Sequence, residues 1–459
     1  MIKSFSLAHK GFSRRSVLVA TGSSIALTAC GHSSKKPVLV GQRLDVFSSG
    51  AGLMVDKDDH TPITIPAPVI DQKWMQEGRI PSHASIHSAI GGVRKVWDCS
   101  IGAGNSEPSP LAFIALGSKG RGIINTTPVV DDNRFYTVDA VGKVTAFDWK
   151  SRKVLWRLNP KKKNSKSSNL GGGIGLTDDA LYIVDGVAET LRVDRDTGKV
   201  VWRVNVGTPG RSAPTIVENR VYFGTIDGSL FCLDTKTGNQ LWSYQTGSVQ
   251  TKLFGQPAPA YFDGIIIAGF GTGDLVALRA ETGEQIWTDT LGRGGRDSDI
   301  DFSAISALPV IVDGTVYAIS VGGVLVAIDV RSGRRLWERE AAGQNAMVVI
   351  GDWLFALSLD EQLACLDRVT GRVRWVTQLR RFKNAEKSKD PIAWYGPVLG
   401  GGQLICISDF GDNGIVTIDP ATGKVTKIVK TDITPALAPV IVNENLLVVG
   451  QDGKLTAFG

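Results

Sequence analysis

The chain is poor in the side chains from which most catalytic and metal sites are built. Of 459 residues only five are histidine and five are cysteine, and no two cysteines are adjacent or in a Cys-x-x-Cys spacing. That excludes the familiar zinc and dithiol motifs. His83 and His87 have the i, i+4 spacing of a helical metal pair, but no glutamate completes the motif and the segment contains proline. The pair therefore reads as incidental, and neither a metal nor another cofactor is expected. No Ser-His-acid or paired-carboxylate arrangement can be assigned. Charge is scarce too, at 21% of residues. Of the 51 basic side chains, Lys3, Lys10, Arg14 and Arg15 lie in residues 1–29, leaving 47 against 45 acids in a nearly neutral remainder. A basic face for nucleic acid is thus missing. The apolar run at residues 17–29 falls short of the ~20 residues that span a bilayer as a helix. Glycine is abundant: 53 residues, about 12% against a usual ~7%, which argues against a helical bundle.

The N-terminus has the order of an export signal, with Arg14-Arg15, a weakly apolar stretch, and then Leu27-Thr28-Ala29-Cys30-Gly31. The last five residues resemble the bacterial lipobox, in which the cysteine is acylated and becomes the new N-terminus. Residues 1–29 are therefore expected to be a lipoprotein signal peptide, with Cys30 carrying the lipid anchor. The paired arginines leave Sec and twin-arginine export both open. Residues 30–92 hold Pro37, Pro62, Pro66, Pro68 and Pro81 and no repeat. They read as a tether and extended lead-in with little part in the fold.

From residue 93 onward one phrase recurs: an apolar run, an acid in most copies, a Thr/Ser-Gly turn, then tryptophan. It ends at Trp202, Trp242, Trp287, Trp337 and Trp375, with a degenerate copy ending at Trp156 and Ile428 in place of the last tryptophan. The step is about 44 residues, the period of a four-stranded propeller blade. Short strands rich in Val, Ile and Tyr, several opening on proline, alternate with Gly or Asp turns inside each unit. Glycine supplies the positive φ of the Thr/Ser-Gly turn, and the acid can hold the turn amides. Each tryptophan is expected to cover the next blade as a structural staple. Seven full units are followed by an eighth with three strands, and the strand-plus-tryptophan ending at Trp97 is expected to complete it. The expected fold is all-β: residues 93–459 as an eight-bladed propeller of four-stranded antiparallel blades, closed by pairing of N- and C-terminal strands. Cys99, Cys232, Cys365 and Cys406 are expected to stay free thiols. Lys161, Lys162, Lys163 and Lys166 read as a solvated inter-blade loop, and the Gly171-Gly172-Gly173 and Gly269 to Gly273 clusters as strand turns.

The phrase from Val193 to Trp202 is similar to the tryptophan-docking motif of pyrroloquinoline-quinone (PQQ) propellers. The lipobox, the chain length and the eight repeats together resemble the BamB family of outer-membrane protein assembly lipoproteins over roughly residues 90–459. The resemblance implies a non-catalytic scaffold lipoprotein at the periplasmic face of the outer membrane, assisting barrel insertion. Its partners would be a BamA-like insertase, through a POTRA domain, and other subunits of the machinery, with unfolded outer-membrane clients also possible. It also implies a contact surface. Asp299 and Asp301, in the stretch that starts at Arg296, match the family's acidic segment. Leu253 and Gly255 match the companion loop, whereas Thr251 and Phe254 depart from it. Leu253, Phe254, Arg296, Asp299 and Asp301 are accordingly the candidate partner-binding residues. An Asp-rich turn satisfying its own amides is the alternative for the acids. The alternative function is a periplasmic PQQ-dependent dehydrogenase or PQQ-like sensor. The dehydrogenases of that fold carry an adjacent Cys-Cys pair and a Ca²⁺ site, and this chain has no adjacent cysteines.

Overall fold

Eight four-stranded antiparallel sheets follow one another along the chain, each running from the ring axis to the rim. The computed structural model describes residues 52–57, 59–105, 122–161, 171–247, 256–292 and 303–459. In blade 3, Thr215–Val217, Arg220–Gly224, Ser229–Asp234 and Gln240–Gln245 pair in that order. The inner strand is short and the two middle strands are buried on both faces, while the outer strand is largely exposed. Val, Tyr, Phe and Leu on both faces of a strand need a neighbour on each side, and the adjoining blades supply it. The other inner strands are Val129–Val130, Gly172–Leu176, Ala260–Phe262, Val310–Val312, Val348–Ile350, Trp394–Gly400 and Val440–Val442, for blades 1, 2 and 4 to 8. The glycine cluster at 171–173 thus enters an inner strand instead of forming a turn, because a Cβ at Gly173 would lie 2.5 Å from the Cβ of Ala213 in the next blade. A hairpin of Phe382–Asn384 with Lys389–Pro391 stands between blades 6 and 7. The described residues contain no α-helix, only a 3₁₀ turn at Gly411–Asn413.

Closure occurs where the repeats require it. Lys95–Ser100 pairs with Lys454–Phe458, placing Trp97 opposite Ala457 and giving blade 8 its fourth strand from the N-terminal side. Because the four strands of a blade alternate in direction, every blade-to-blade connection emerges on one face of the ring. The first and third strand turns lie on the other.

The tryptophans dock as the repeat predicts. The indole N–H of Trp156, Trp202, Trp242, Trp287, Trp337 and Trp375 donates to the backbone carbonyl of Arg195, Thr235, Ala280, Val330, Arg368 and Pro420, at 2.8–3.1 Å. Each acceptor opens the Thr/Ser-Gly turn of the next blade. Tyr136, Tyr182, Tyr222 and Tyr317 send their hydroxyls to the same carbonyls as their neighbouring tryptophans. Within the turn, Asp194 Oδ1 accepts from the Thr197 amide and hydroxyl at 2.8 and 2.6 Å, and these bonds lower the pKa of its carboxyl. The glycine is required twice, for its φ and for the indole lying on it. At Gly333, φ is +72° and an added Cβ would sit 2.6 Å from the Trp287 ring. Gly333→Ala is expected to cost about 2–4 kcal/mol, combining left-handed strain with displacement of a packed ring, and urea unfolding would measure it.

Both irregular copies have a physical reason. Arg152 takes the glycine position of blade 1 at φ 57°, and its guanidinium lies 5.0 Å from the centre of the Trp97 ring, so a cation–π contact replaces the glycine–indole contact. The expectation that Ile428 takes the tryptophan position is off by one: Lys427 stands four residues after Gly423 and pairs with Thr417 beside the bulge, as Trp375 does with Cys365, while Ile428 is exposed. In the next blade, blade 8, the third and fourth strands come from opposite ends of the chain, so no turn joins them to receive an indole.

The expectation of a lead-in with little part in the fold does not hold for its described portion. One segment of it reaches all eight blades in succession. The amides of Asn443, Val130 and Leu176, in blades 8, 1 and 2, donate to the carbonyls of Asp71, Trp74 and Met75. The Ile216 amide of blade 3 donates to Gln76 Oε1 at 2.9 Å. Tyr261 and Ile311, in blades 4 and 5, donate to the carbonyls of Pro81 and Ser82, Val349 in blade 6 to Ser85 Oγ, and Gly401 in blade 7 to the carbonyl of Ser88. Inner strands have a free edge toward the axis, and this segment satisfies those edges one by one. Farther upstream, Leu53 is buried against blades 5 and 6, the Asp56 amide donates to the Val373 carbonyl, and Asp59 pairs with Arg374 at 3.3 Å with both side chains largely buried.

Candidate functional site

The candidate partner-binding residues Leu253, Phe254, Arg296, Asp299 and Asp301, and the lipidation candidate Cys30, lie outside the described residues. Their flanks are defined. Residues 248–255 join the outer strand Gln240–Gln245 to Ala260–Phe262, and residues 293–302 join Gln285–Thr290 to Val310–Val312. The Gln256 amide donates to Arg211, that of Leu291 to Gly273 and that of Ile305 to Phe270. Both connections thus begin and end on the same face of the ring, at the two seams that border blade 4.

At the axis is a cavity of about 670 Å³. The lead-in roofs it with Trp74, Glu77, His83 and Ser85. Its other end is ringed by residues where the connections enter the inner strands, among them Asn125, Arg211, Gln256, Gln344 and Asn345. Asn125, Arg211 and Gln256 each stand three residues before an inner-strand proline, Pro128, Pro214 and Pro259. That spacing was available in the sequence as a periodic polar position, but only the axial geometry turns it into a ring.

The two histidines share no ligand. His87 donates from Nδ1 to the Pro66 carbonyl at 2.6 Å and accepts from the Gly402 amide at Nε2, at 2.7 Å. His83 is 4% exposed and donates from Nδ1 to the Pro309 carbonyl at 2.8 Å, while its Nε2 has no partner. Both rings thus fasten the lead-in to the propeller through backbone partners. Among the described residues no group of three His, Cys, Asp or Glu could hold a metal ion. Cys99, Cys232, Cys365 and Cys406 are free; the last three are buried and Cys99 is half-buried. Burial pushes the Cys232 and Cys406 thiols up to about 12 and Cys99 to about 11, so none is poised as a nucleophile.

Two cavity groups titrate in opposite senses. Desolvation raises Glu77 to about 7 against a bond from the Ala213 amide, and lowers His83 to about 4. A carboxyl raised in the folded state makes stability fall as pH rises from about 4.5 to 7. An imidazole lowered in the folded state makes stability fall as pH drops from about 6.5 to 4. The slopes oppose each other over most of this window. Glu77→Gln is therefore expected to uncover a melting temperature that climbs with pH between about 4 and 6.5, where the parent chain is comparatively flat. Thermal melts at closely spaced pH values would test it.

The family model described as "Outer membrane protein assembly factor BamB" matches residues 140–377 and 351–459, more than half of the chain. The chain belongs to the BamB family. Among curated relatives, the outer membrane protein assembly factor BamB of Yersinia pestis is 25% identical over 431 residues, covering 92% of this chain and 99% of the relative. That of Burkholderia pseudomallei is 26% identical, covering 83% of this chain and 91% of its own. Among solved structures, BamB from Moraxella catarrhalis superposes with a TM-score of 0.65 at 19% identity, over 80% of this chain and 99% of that one. A quinohemoprotein alcohol dehydrogenase from Comamonas testosteroni gives 0.62 at 13% identity, over 84% and 80%. Such structural likenesses establish a common propeller, which scaffold and dehydrogenase share. The family match and the coverage of the curated relatives separate the two.

Proposed function

We propose that this protein is a non-catalytic scaffold lipoprotein of the outer-membrane β-barrel assembly machinery. It is anchored through Cys30 at the periplasmic face of the outer membrane, and it holds the periplasmic POTRA region of a BamA-like insertase on the connection face beside blade 4. The observation that carries this reading is the family match over most of the propeller. It is supported by what the ring spends its polar and aromatic groups on. The repeated tryptophans and tyrosines are taken up in blade-to-blade docking and the repeated aspartates in their own turns, so recognition is left to the connections, where the sequence has Asp299 and Asp301. Two carboxylates two residues apart on an extended loop can accept from one Arg or Lys, which gives orientation and association rate.

Co-purification from detergent-solubilised envelopes tests the proposal. The insertase is expected to follow this protein, and its absence would overturn the scaffold role. Mass spectrometry of the mature N-terminus is expected to find an acylated Cys30, and Cys30→Ser is expected to release the protein from the membrane. The competing dehydrogenase or sensor reading predicts quinone absorbance of the purified protein.

A further inference from the structure

Exposed large apolar side chains are mostly scattered around the rim, one or two to an outer strand. The two most exposed, Met54 at 77% and Val369 at 67%, belong to the same stretch of it, between blades 5 and 6. The Asp56 amide donates to the Val373 carbonyl at 2.8 Å and its carboxylate pairs with Arg372 at 3.5 Å, so residues 54–56 run beside the turn that carries Val369. Val55 is exposed as well, and so is Leu336, whose neighbour Trp337 docks on Arg368. These side chains are held out by what flanks them. Leu53 is buried in the seam of blades 5 and 6, a Cβ at Gly52 would collide with the Glu340 backbone, and the Val369 amide donates to Asp367 within its turn at 2.9 Å. The carboxylates of Asp56 and Asp59 beside the patch are paired, with Arg372 and Arg374, and Lys57 is exposed at its margin.

We propose that the rim between blades 5 and 6 rests on the phospholipid surface to which the chain is anchored, with Met54, Val55 and Val369 entering the boundary between headgroups and acyl chains. The place of the patch argues for this occupant. Gly52, two residues before Met54, follows the acylation candidate Cys30 by 22 residues, so this rim lies at the root of the tether. A chain of that length spans at most ~75 Å, which bounds the distance to the bilayer but not which edge of the ring faces it. Acyl chains supply the first membrane signal. A small apolar patch supplies a second, weak alone and effective once the anchor holds it at the surface. Four side chains fall far short of the ~800 Å² per partner of a stable protein interface. Lys57 can reach lipid phosphates along its apolar stem. With this rim down, the ring axis lies along the membrane and the connection face opens sideways to the periplasm. The proposal rests on the anchoring reading only for what brings the ring to a bilayer.

The test supplies the anchor artificially, so it does not depend on acylation. The chain from residue 30, with Cys30→Ser and an N-terminal histidine tag, is bound to nickel-chelating lipid in vesicles of phosphatidylethanolamine and phosphatidylglycerol. Val369→Cys carries a nitrobenzoxadiazole label. The other thiols do not compete, since three are buried and desolvation holds Cys99 at about 11. A nitroxide on the lipid near the headgroup is expected to quench the label about twofold or more. The same label in Leu155→Cys, on the outer strand of blade 1 across the ring, is expected to stay unquenched. Met54→Asp, at a site too exposed to disturb the fold, is expected to remove most of the quenching at 369. Melting curves verify that the variants are folded. No quenching at 369, equal quenching at 155, or full quenching in Met54→Asp would each overturn the proposal. A blue-shifted but unquenched label would assign the patch to another segment of this chain and overturn it likewise. Mass spectrometry of the mature N-terminus reads the anchor separately, so failure of the rim contact and failure of the anchoring reading are distinguishable.

Discussion

A chain that begins at residue 101 is expected to lose cooperative folding, whereas one that begins at residue 52 should melt like the parent. Starting at 101 removes the fourth strand of blade 8, leaving Lys454–Phe458 as a bare edge, and removes the Trp97 staple with its Arg152 contact. It also strips the lead-in from eight inner strands. A net ~0.5–1.5 kcal/mol for each hydrogen bond lost gives on the order of 8 kcal/mol from the roof alone. The closing strand and tryptophan add several more. Whole domains are typically stable by only ~5–15 kcal/mol, so the sum is comparable with everything the ring has. A start at residue 61 is the informative intermediate. It removes Leu53 and Asp59 and leaves Arg374 buried without its carboxylate, though still 5.3 Å from the Trp353 ring centre. Losing the Leu53 contact and the counter-charge of Arg374 together is expected to lower the melting temperature there. If the chains starting at 52, 61 and 101 melt together, neither the lead-in nor the strand exchange closes the ring.

The contrast between propeller and lead-in explains what the sequence could reveal. Blade number, order and closure were legible because each rests on a side chain that recurs at fixed spacing: the tryptophan, the turn glycine, the turn aspartate. Even the two irregular copies were visible as departures, although why Arg152 replaces the turn glycine and why no tryptophan is needed at Lys427 required the neighbouring blade. The lead-in has no such periodicity. It binds mostly through its own carbonyls, which every residue possesses, to amides that every inner strand exposes. Its prolines indicated extended backbone and nothing about where that backbone lies. His83 and His87 were conspicuous for their spacing, yet their role comes from separate carbonyl partners, Pro309 and Pro66, that are remote in sequence from one or both of them. The axial polar ring was hidden for a different reason: Arg211, Gln256 and Asn125 share a spacing to proline but no residue type. The candidate partner surface was legible only through family resemblance, since Asp299 and Asp301 alone do not distinguish a docking loop from a self-satisfied turn.

Asp299→Arg combined with Asp301→Arg is expected to abolish capture of the insertase's periplasmic domains while leaving the propeller folded. Both positions fall in the connection between blades 4 and 5, and the blade cores on either side are complete without them: Trp287 docks on Val330, and Leu291 and Ile305 pack within the described ring. The reversal acts twice, removing an acceptor pair and placing like charge against a basic partner surface. Loss of a close interfacial charge pair is worth on the order of 2–5 kcal/mol, a 30-fold or greater fall in affinity. Leu253→Asp is expected to weaken capture independently, because it sets a charge in an apolar contact at the other seam of blade 4. Pull-down of the partner's periplasmic domains with each variant reads the effect, and circular dichroism reports the fold. An intermediate salt dependence is also expected: raising ionic strength should weaken the parent complex more than the Leu253→Asp complex loses through its apolar defect. If the folded double variant binds like the parent, the two aspartates are an internally bonded turn, and the insertase must be held elsewhere on the ring.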